Sequence, residues 1–254
     1  MKICIPLVSS DIDEVCEKIK LSAKKADIIE IWLGEFFSTP EISEDFEEKT
    51  QKILEQIFTA KKEAGDVPLL INVKDKKEKG GFSGSDEQKI FLLQESVQLG
   101  AEYIDIDFEF NPELLSELKQ IIDTENSGKN NPEISGKTQL ILSAHFFEGT
   151  PTFPALKNRV QRMQNSGADI VKIATMPKKN RDLITILRFA ENMKKSNQKF
   201  IAMSMAQMGK ISRVLIPLLG GEMMFAPLTK EEASAPGQIC RDELLELEKV
   251  FSWK

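Results

Sequence analysis

The chain alternates throughout between short apolar runs and longer amphipathic stretches, and this alternation restricts its fold more than any other feature. The strand-like runs are KICIPLV from Lys2, DIIEIWL from Asp27, PLLINVK from Pro68 and EYIDIDF from Glu102. They continue with TQLILSAH from Thr138, DIVKIAT from Asp169, KFIAMSM from Lys199 and EMMFAP from Glu222. Between them, Ser85-Asp86-Glu87-Gln88 has the form of a capping box, with Ile90, Leu93 and Val97 following at helical spacing. Leu114, Leu115, Leu118, Ile121 and Ile122 make one apolar stripe; Leu183, Ile186, Leu187, Ala190 and Met193 make another. Strand followed by helix, eight times over, predicts an α/β chain with a parallel (β/α)8 barrel as one domain over residues 1–254. A doubly wound open sheet is the rival, but no G-x-G-x-x-G follows the first strand. The polar segment DTENSGKNNPEISGK, from Asp123, reads as a surface loop.

Charge and composition exclude several classes. With 34 Lys+Arg against 40 Asp+Glu the net charge is −6, the opposite of a nucleic-acid footprint. No apolar run approaches the ~20 residues that span a bilayer, so no membrane partner is expected. The opening MKICIPLVSSDIDE is too short and too soon acidic for a signal peptide, which predicts a cytoplasmic protein. Cys4, Cys16 and Cys240 are odd in number and none forms C-x-x-C; with one histidine in the chain, no metal site is expected.

The polar residues of the strands carry the functional signal. Strand residues in a barrel alternate between the interior and the surrounding helices. Glu30 and Trp32 share a parity against Ile29 and Ile31; Asn72 and Lys74 share one against Ile71 and Val73. Asp105 and Asp107 oppose Ile104 and Ile106, Ser143 falls with His145, and Lys172 opposes Val171 and Ile173. These groups lie toward the carboxyl ends of their strands, where barrel active sites form. Burial of charge is costly unless it is paired, so packing alone does not explain them; a structural polar network is the competing account. Lys172, within DIVKIAT, should be desolvated, which favours a neutral, nucleophilic amine. A lysine snorkelling to water remains the alternative. His145 is either a satisfied hydrogen-bonder or a proton carrier, and Glu78, in KDKKEKGGFSG, reads from composition as one more solvated charge.

Taken together, these residues resemble type I 3-dehydroquinate dehydratase, the Schiff-base-forming family of the shikimate pathway. The resemblance covers nearly the whole chain. Its most specific parts are SMAQMGKISR (Ser204 to Arg213), ASAPGQI (Ala233 to Ile239) and the spacing of His145 in LSAHFFEGTP from Lys172 in GADIVKIAT. The resemblance implies a lyase that converts 3-dehydroquinate to 3-dehydroshikimate without metal or organic cofactor, commonly as a homodimer. It implies that Lys172 forms the imine, that His145 is the general acid/base, and that Glu78 orients this histidine. It assigns Arg213 to the substrate carboxylate, Ser234 and Gln238 to a lid, and Glu30 to substrate hydroxyls.

Four positions depart from the family's pattern. Trp32 stands in place of the arginine of E-x-R, and Lys74 replaces the arginine that ends the third strand, losing the planar fork. Phe146 replaces an aspartate and Pro6 a small residue. The imine chemistry is expected to persist with altered affinity for dehydroquinate. Two alternatives stay open: a Schiff-base barrel for another hydroxylated keto acid, and a ligand-binding barrel without turnover.

Overall fold

All eight expected strands form, and all pair in parallel within one sheet of order β7-β6-β5-β4-β3-β2-β1-β8, the strand order of the (β/α)8 barrel class. They are β1 (Lys2–Leu7), β2 (Ile28–Trp32), β3 (Leu69–Asn72), β4 (Tyr103–Asp107), β5 (Gln139–Phe146), β6 (Ile170–Thr175), β7 (Phe200–Ser204) and β8 (Met223–Phe225). The helices are α1 (Ile12–Ser22), α2 (Ser43–Glu63), α3 (Asp86–Gln98), α4 (Pro112–Asn126), α5 (Phe153–Asn165), α6 (Asn180–Lys195), α7 (Ala206–Gly209), α8 (Ser212–Leu218) and α9 (Arg241–Phe251). The structure is a computed structural model that describes residues 2–39, 43–128 and 138–251. None of the described helices is long and apolar enough to cross a membrane. The chain divides into two compact units, Leu7–Leu140 and Met1–Pro6 with Ile141–Lys254.

In the Leu7–Leu140 unit, β2, β3 and β4 pair with Ile31 opposite Ile71 and Ile71 opposite Ile104. That register puts Ile29, Ile31, Leu69, Ile71, Ile104 and Ile106 on one face, each buried. The other face carries Glu30, Trp32, Asn72 and Asp105, with Trp32 opposite Asn72 and Asn72 opposite Asp105. The helices start where polar side chains satisfy their free N–H groups. Asp11 accepts from Asp13 and Glu14, and Asn111 from Glu113 and Leu114. The expected capping box is formed: Gln88 N–H donates to Ser85 Oγ at 3.2 Å and Ser85 N–H to Gln88 Oε1 at 3.0 Å. The expected loop from Asp123 begins later than the sequence suggests, because α4 runs on to Asn126. Asn126 and Thr138 exchange two hydrogen bonds, at 2.8 and 3.0 Å, and so clasp its described ends; residues 129–137 lie outside the described residues.

In the second unit, β5, β6 and β7 pair with Ser143 opposite Lys172 and Lys172 opposite Ile201, while β1 pairs with β8. The run SMAQMGKISR becomes a tight connection from β7 through α7 into α8. The buried Ser212 hydroxyl holds it together, accepting from Ser204 N–H at 2.8 Å and donating to the Gly209 carbonyl at 2.7 Å. Gly209 is required by close approach, since a Cβ there would lie 2.2 Å from the Ser204 carbonyl oxygen. Replacing Ser212 by Ala strands a buried backbone donor, so Ser212→Ala should cost about 1–3 kcal/mol in urea denaturation. An unchanged midpoint would show that the hydroxyl does not fix this turn.

Candidate active site

Lys172 sits in the middle of β6 at 3% exposure, with its Nζ 4.2 Å from the centre of the Phe225 ring. His145 lies on the adjacent strand β5, opposite Ala174. It therefore shares the face of Ser143 and Lys172, one side-chain repeat nearer the carboxyl end. Its ring stacks on Phe147 with centroids 5.9 Å apart and an interplanar angle of 11°. The neighbouring Phe146 lies under the Arg159 guanidinium at 5.7 Å, so this departure from the family's aspartate fills a cation–π contact.

Arg213 enters from the start of α8 and is the largest fully buried side chain described, at 1% exposure. Its Nε and Nη1 have no hydrogen-bond partner among the described residues. Burial lowers its pKa to about 10, which still leaves a cation at neutral pH. A buried, charged fork with free donors is suited to an anion that brings its own acceptors, above all a carboxylate.

Ser234 and Gln238 meet on the loop after β8. Gln238 Nε2 donates to Ser234 Oγ at 3.0 Å, and Ala235 N–H donates to Gln238 Oε1 at 3.3 Å. The loop is seated on the turn that leads toward Arg213: Ala206 N–H donates to the Pro236 carbonyl at 3.2 Å. Gly237 has φ +82°, and a Cβ there would come within 2.3 Å of the Ala206 carbonyl oxygen. Glycine is thus demanded twice, by conformation and by contact.

The Leu7–Leu140 unit carries the remaining expected residues. Glu30, at 1% exposure, accepts from Asn72 Nδ2 at 2.8 Å and faces Lys74 Nζ at 3.8 Å. The same ammonium lies 4.0 Å from the centre of the Trp32 ring. Trp32 and Lys74, the two departures on this side, thus pack together as a cation on an indole face. Lys74 lies beyond the end of β3 yet is only 8% exposed.

Glu78 corrects the compositional reading. Its side chain is 9% exposed, not solvated. Asp75 caps a short 3-10 turn, Lys76–Glu78, by accepting from Lys77 and Glu78 N–H groups, and Lys79 at φ +64° ends it. Gly81 N–H is tied to Glu35 Oε1 at 2.8 Å. Burial pushes the Glu78 carboxyl up to about 7, aided by Asp107 and Asp105 and opposed by Lys89 and Lys74. Lys89 was not expected at the site. It is 2% exposed on α3 and faces Asp75 at 3.4 Å and Glu78 at 3.7 Å. Its spacing from the buried Leu92, Leu93 and Ser96, three, four and seven residues on, was the available signal.

Parallel strands in barrel order, with ionisable side chains buried along them, define a (β/α)8 protein of enzymatic type. The Type I 3-dehydroquinase family profile matches residues 3–252, and the chain belongs to that family. It is 33% identical over 254 residues to a 3-dehydroquinate dehydratase of Klebsiella pneumoniae, with 98% of this chain and 93% of that protein covered. It is 30% identical over 249 residues to the bifunctional chloroplastic 3-dehydroquinate dehydratase/shikimate dehydrogenase of Arabidopsis thaliana; 96% of this chain matches, spanning only 36% of that protein. Among solved structures, a Clostridium difficile type I 3-dehydroquinate dehydratase with covalent modified comenic acid superposes with TM-score 0.81. It is 27% identical and the match covers 98% of this chain and 91% of that one.

The raised Glu78 carboxyl fixes a pH dependence. Its folded-state value of about 7 lies above the usual 4.5, so the native state keeps this proton longer than the unfolded chain. Stability should therefore fall between those two values as pH rises, by up to roughly 3 kcal/mol, and then level off. Glu78→Gln should remove that slope in denaturation curves measured from pH 5 to 8; an equally steep slope in the variant counts against the burial argument.

Proposed function

We propose that this chain dehydrates 3-dehydroquinate to 3-dehydroshikimate through an imine on Lys172. The observation that carries the reading is the presence, in one compact unit, of a lysine buried on β6 and a buried arginine whose Nε and Nη1 lack partners among the described residues. The first suits attack on a carbonyl and the second suits a carboxylate, and a keto acid offers both. Family membership and the names of the relatives support the particular substrate.

In this mechanism the neutral Lys172 amine adds to the ketone carbon, and loss of water leaves a protonated imine. His145 takes the proton from the carbon beside it. The electron pair moves into the imine to form an enamine, a far better sink than the parent ketone. The enamine then expels the hydroxyl group, which leaves as water after His145 returns a proton, and hydrolysis of the conjugated imine frees product and lysine. Proton transfer of this kind contributes about 10²–10⁴-fold. Glu78 takes the role of the carboxylate that orients His145, Arg213 holds the substrate carboxylate, Glu30 and Lys74 meet the hydroxyls, and Ser234 and Gln238 close the lid. A cytoplasmic homodimer, one domain per chain, is the form this reading expects; light scattering of the purified protein sizes it.

A second reading has a specific observation behind it. Lys74 is already engaged by Glu30 and the Trp32 face, which favours a ligand with fewer or differently placed hydroxyls. Borohydride reduction with a panel of keto acids, read by mass spectrometry at Lys172, separates the two. With dehydroquinate the adduct mass and the ultraviolet absorbance of the enone product should both appear. Lys172→Ala should abolish both, and His145→Ala should lower the rate by at least about 10²-fold while still allowing the adduct. A folded wild-type protein giving neither signal with dehydroquinate would falsify the leading reading.

A further inference from the structure

Lys89 belongs to no motif discussed above, yet it is the most buried lysine described, at 2% exposure in the first turn of α3. A lysine is almost never sealed in this way without a task for its charge. Its ammonium faces two carboxylates of one turn, Asp75 Oδ2 at 3.4 Å and Glu78 Oε2 at 3.7 Å. Two aromatic rings also flank it: the Phe82 ring centre lies 5.9 Å away and the Phe110 ring centre 5.5 Å away. Aromatic faces stabilise a cation while excluding water, so the two carboxylates feel it through little screening.

We propose that Lys89 is a positioning residue for the reaction, whose buried ammonium ties the Lys76–Glu78 turn to α3 and keeps the Glu78 carboxylate placed and charged for its partner. The inference rests on the reading above that Glu78 orients His145. Three features of the unit require such a cation. First, Asp75 anchors the base of the turn: its Oδ1 receives the N–H groups of Lys77 and Glu78, and its carbonyl receives Gly80 N–H at 2.8 Å. Asp75 Oδ2 is the oxygen left to reach α3, and it reaches Lys89. Second, Glu78 is surrounded by like charge, with Asp107 and Asp105 of β4 both opposing its ionisation. Of the cations that oppose them, Lys89 acts more strongly than Lys74, and Lys74 is shared with Glu30 and Trp32. Third, Asp75 responds to the same cation: burial pushes its carboxyl up, but Lys89 and the N–H groups of Glu78 and Lys77 outweigh this and hold it below the ordinary range.

The charged groups that set the Glu78 equilibrium are thus Asp105 and Asp107 from β4, Lys74 beyond β3 and Lys89 from α3. Removing the Lys89 charge shifts that balance in one direction, toward the protonated acid. A neutral carboxylic acid cannot stabilise an imidazolium, so the acid limb of kcat/KM moves upward in pH with it.

The test uses the full-length protein labelled with glutamate carrying 13C at the side-chain carboxyl, Glu78→Gln assigning the Glu78 signal. Lys89→Met should raise the Glu78 titration midpoint above about 7, by about one pH unit or more, with the acid limb of kcat/KM moving in step. Lys89→Arg, which restores the charge, should return both toward wild type, and borohydride trapping at Lys172 should survive in each. A folded Lys89→Met protein with an unmoved Glu78 midpoint overturns the proposal, as does a moved midpoint with an unmoved kinetic limb. If Lys89→Met does not fold, Lys89→Gln is read in the same way; failure of both to fold assigns Lys89 to the architecture alone and rejects a positioning role. Wild-type protein that leaves dehydroquinate unchanged sinks the functional reading instead, and the Glu78 titration then still decides whether Lys89 governs that carboxylate.

Discussion

Parallel strands flanked by helices leave little water for an ionised side chain, and this chain nevertheless buries Glu30, Lys74, Lys89, Lys172 and Arg213 to 8% exposure or less. Each such group must find compensation inside the protein or wait for it from a ligand. Glu30 has Asn72 and Lys74, Lys74 has Trp32 as well, and Lys89 has two carboxylates and two rings. Arg213 differs: two of its nitrogens find no acceptor among the described residues. Several of these charges are therefore compensated within the protein, while the Arg213 fork keeps two donors without acceptors among the described residues, an arrangement suited to an anion.

The same economy shapes the backbone around that fork. Ser212 locks the β7–α8 connection immediately before Arg213, and Ala206 within that connection is also the seat of the Pro236–Gly237 bend. The residues of SMAQMGKISR and ASAPGQI that looked like separate signatures are two halves of one contact. Ser204, Gly209 and Ser212 fix the connection that leads into Arg213, and Gly237 lets the second segment approach Ala206 closely.

Much of the fold was legible because period-two apolar runs and helical stripes are local signals. The Ser85 capping box and the stripe from Leu183 became helix starts and faces as read. The parity of Glu30, Asn72 and Asp105 survived into the observed register, since a strand's alternation is independent of its neighbours. What was not legible depends on distant residues. Glu78 sits in a run of charges whose composition suggests exposure; it is buried because Asp75 folds the run into a turn and α3 supplies Lys89 from eleven residues further on. Trp32 read as a lost arginine, and only the position of Lys74 over its ring shows that the two departures belong together. The loop from Asp123 was misjudged at its start, where α4 continues through residues that are indifferent helix formers.

The indole at position 32 has one further consequence. The chain contains two tryptophans, and Trp32 is the one within the described residues, buried with an ammonium 4.0 Å from the centre of its ring. The excited state of an indole is sensitive to a charge held that close. Any displacement of the Lys74 head group therefore alters the emission of Trp32, so this indole is an intrinsic optical reporter of where that ammonium sits.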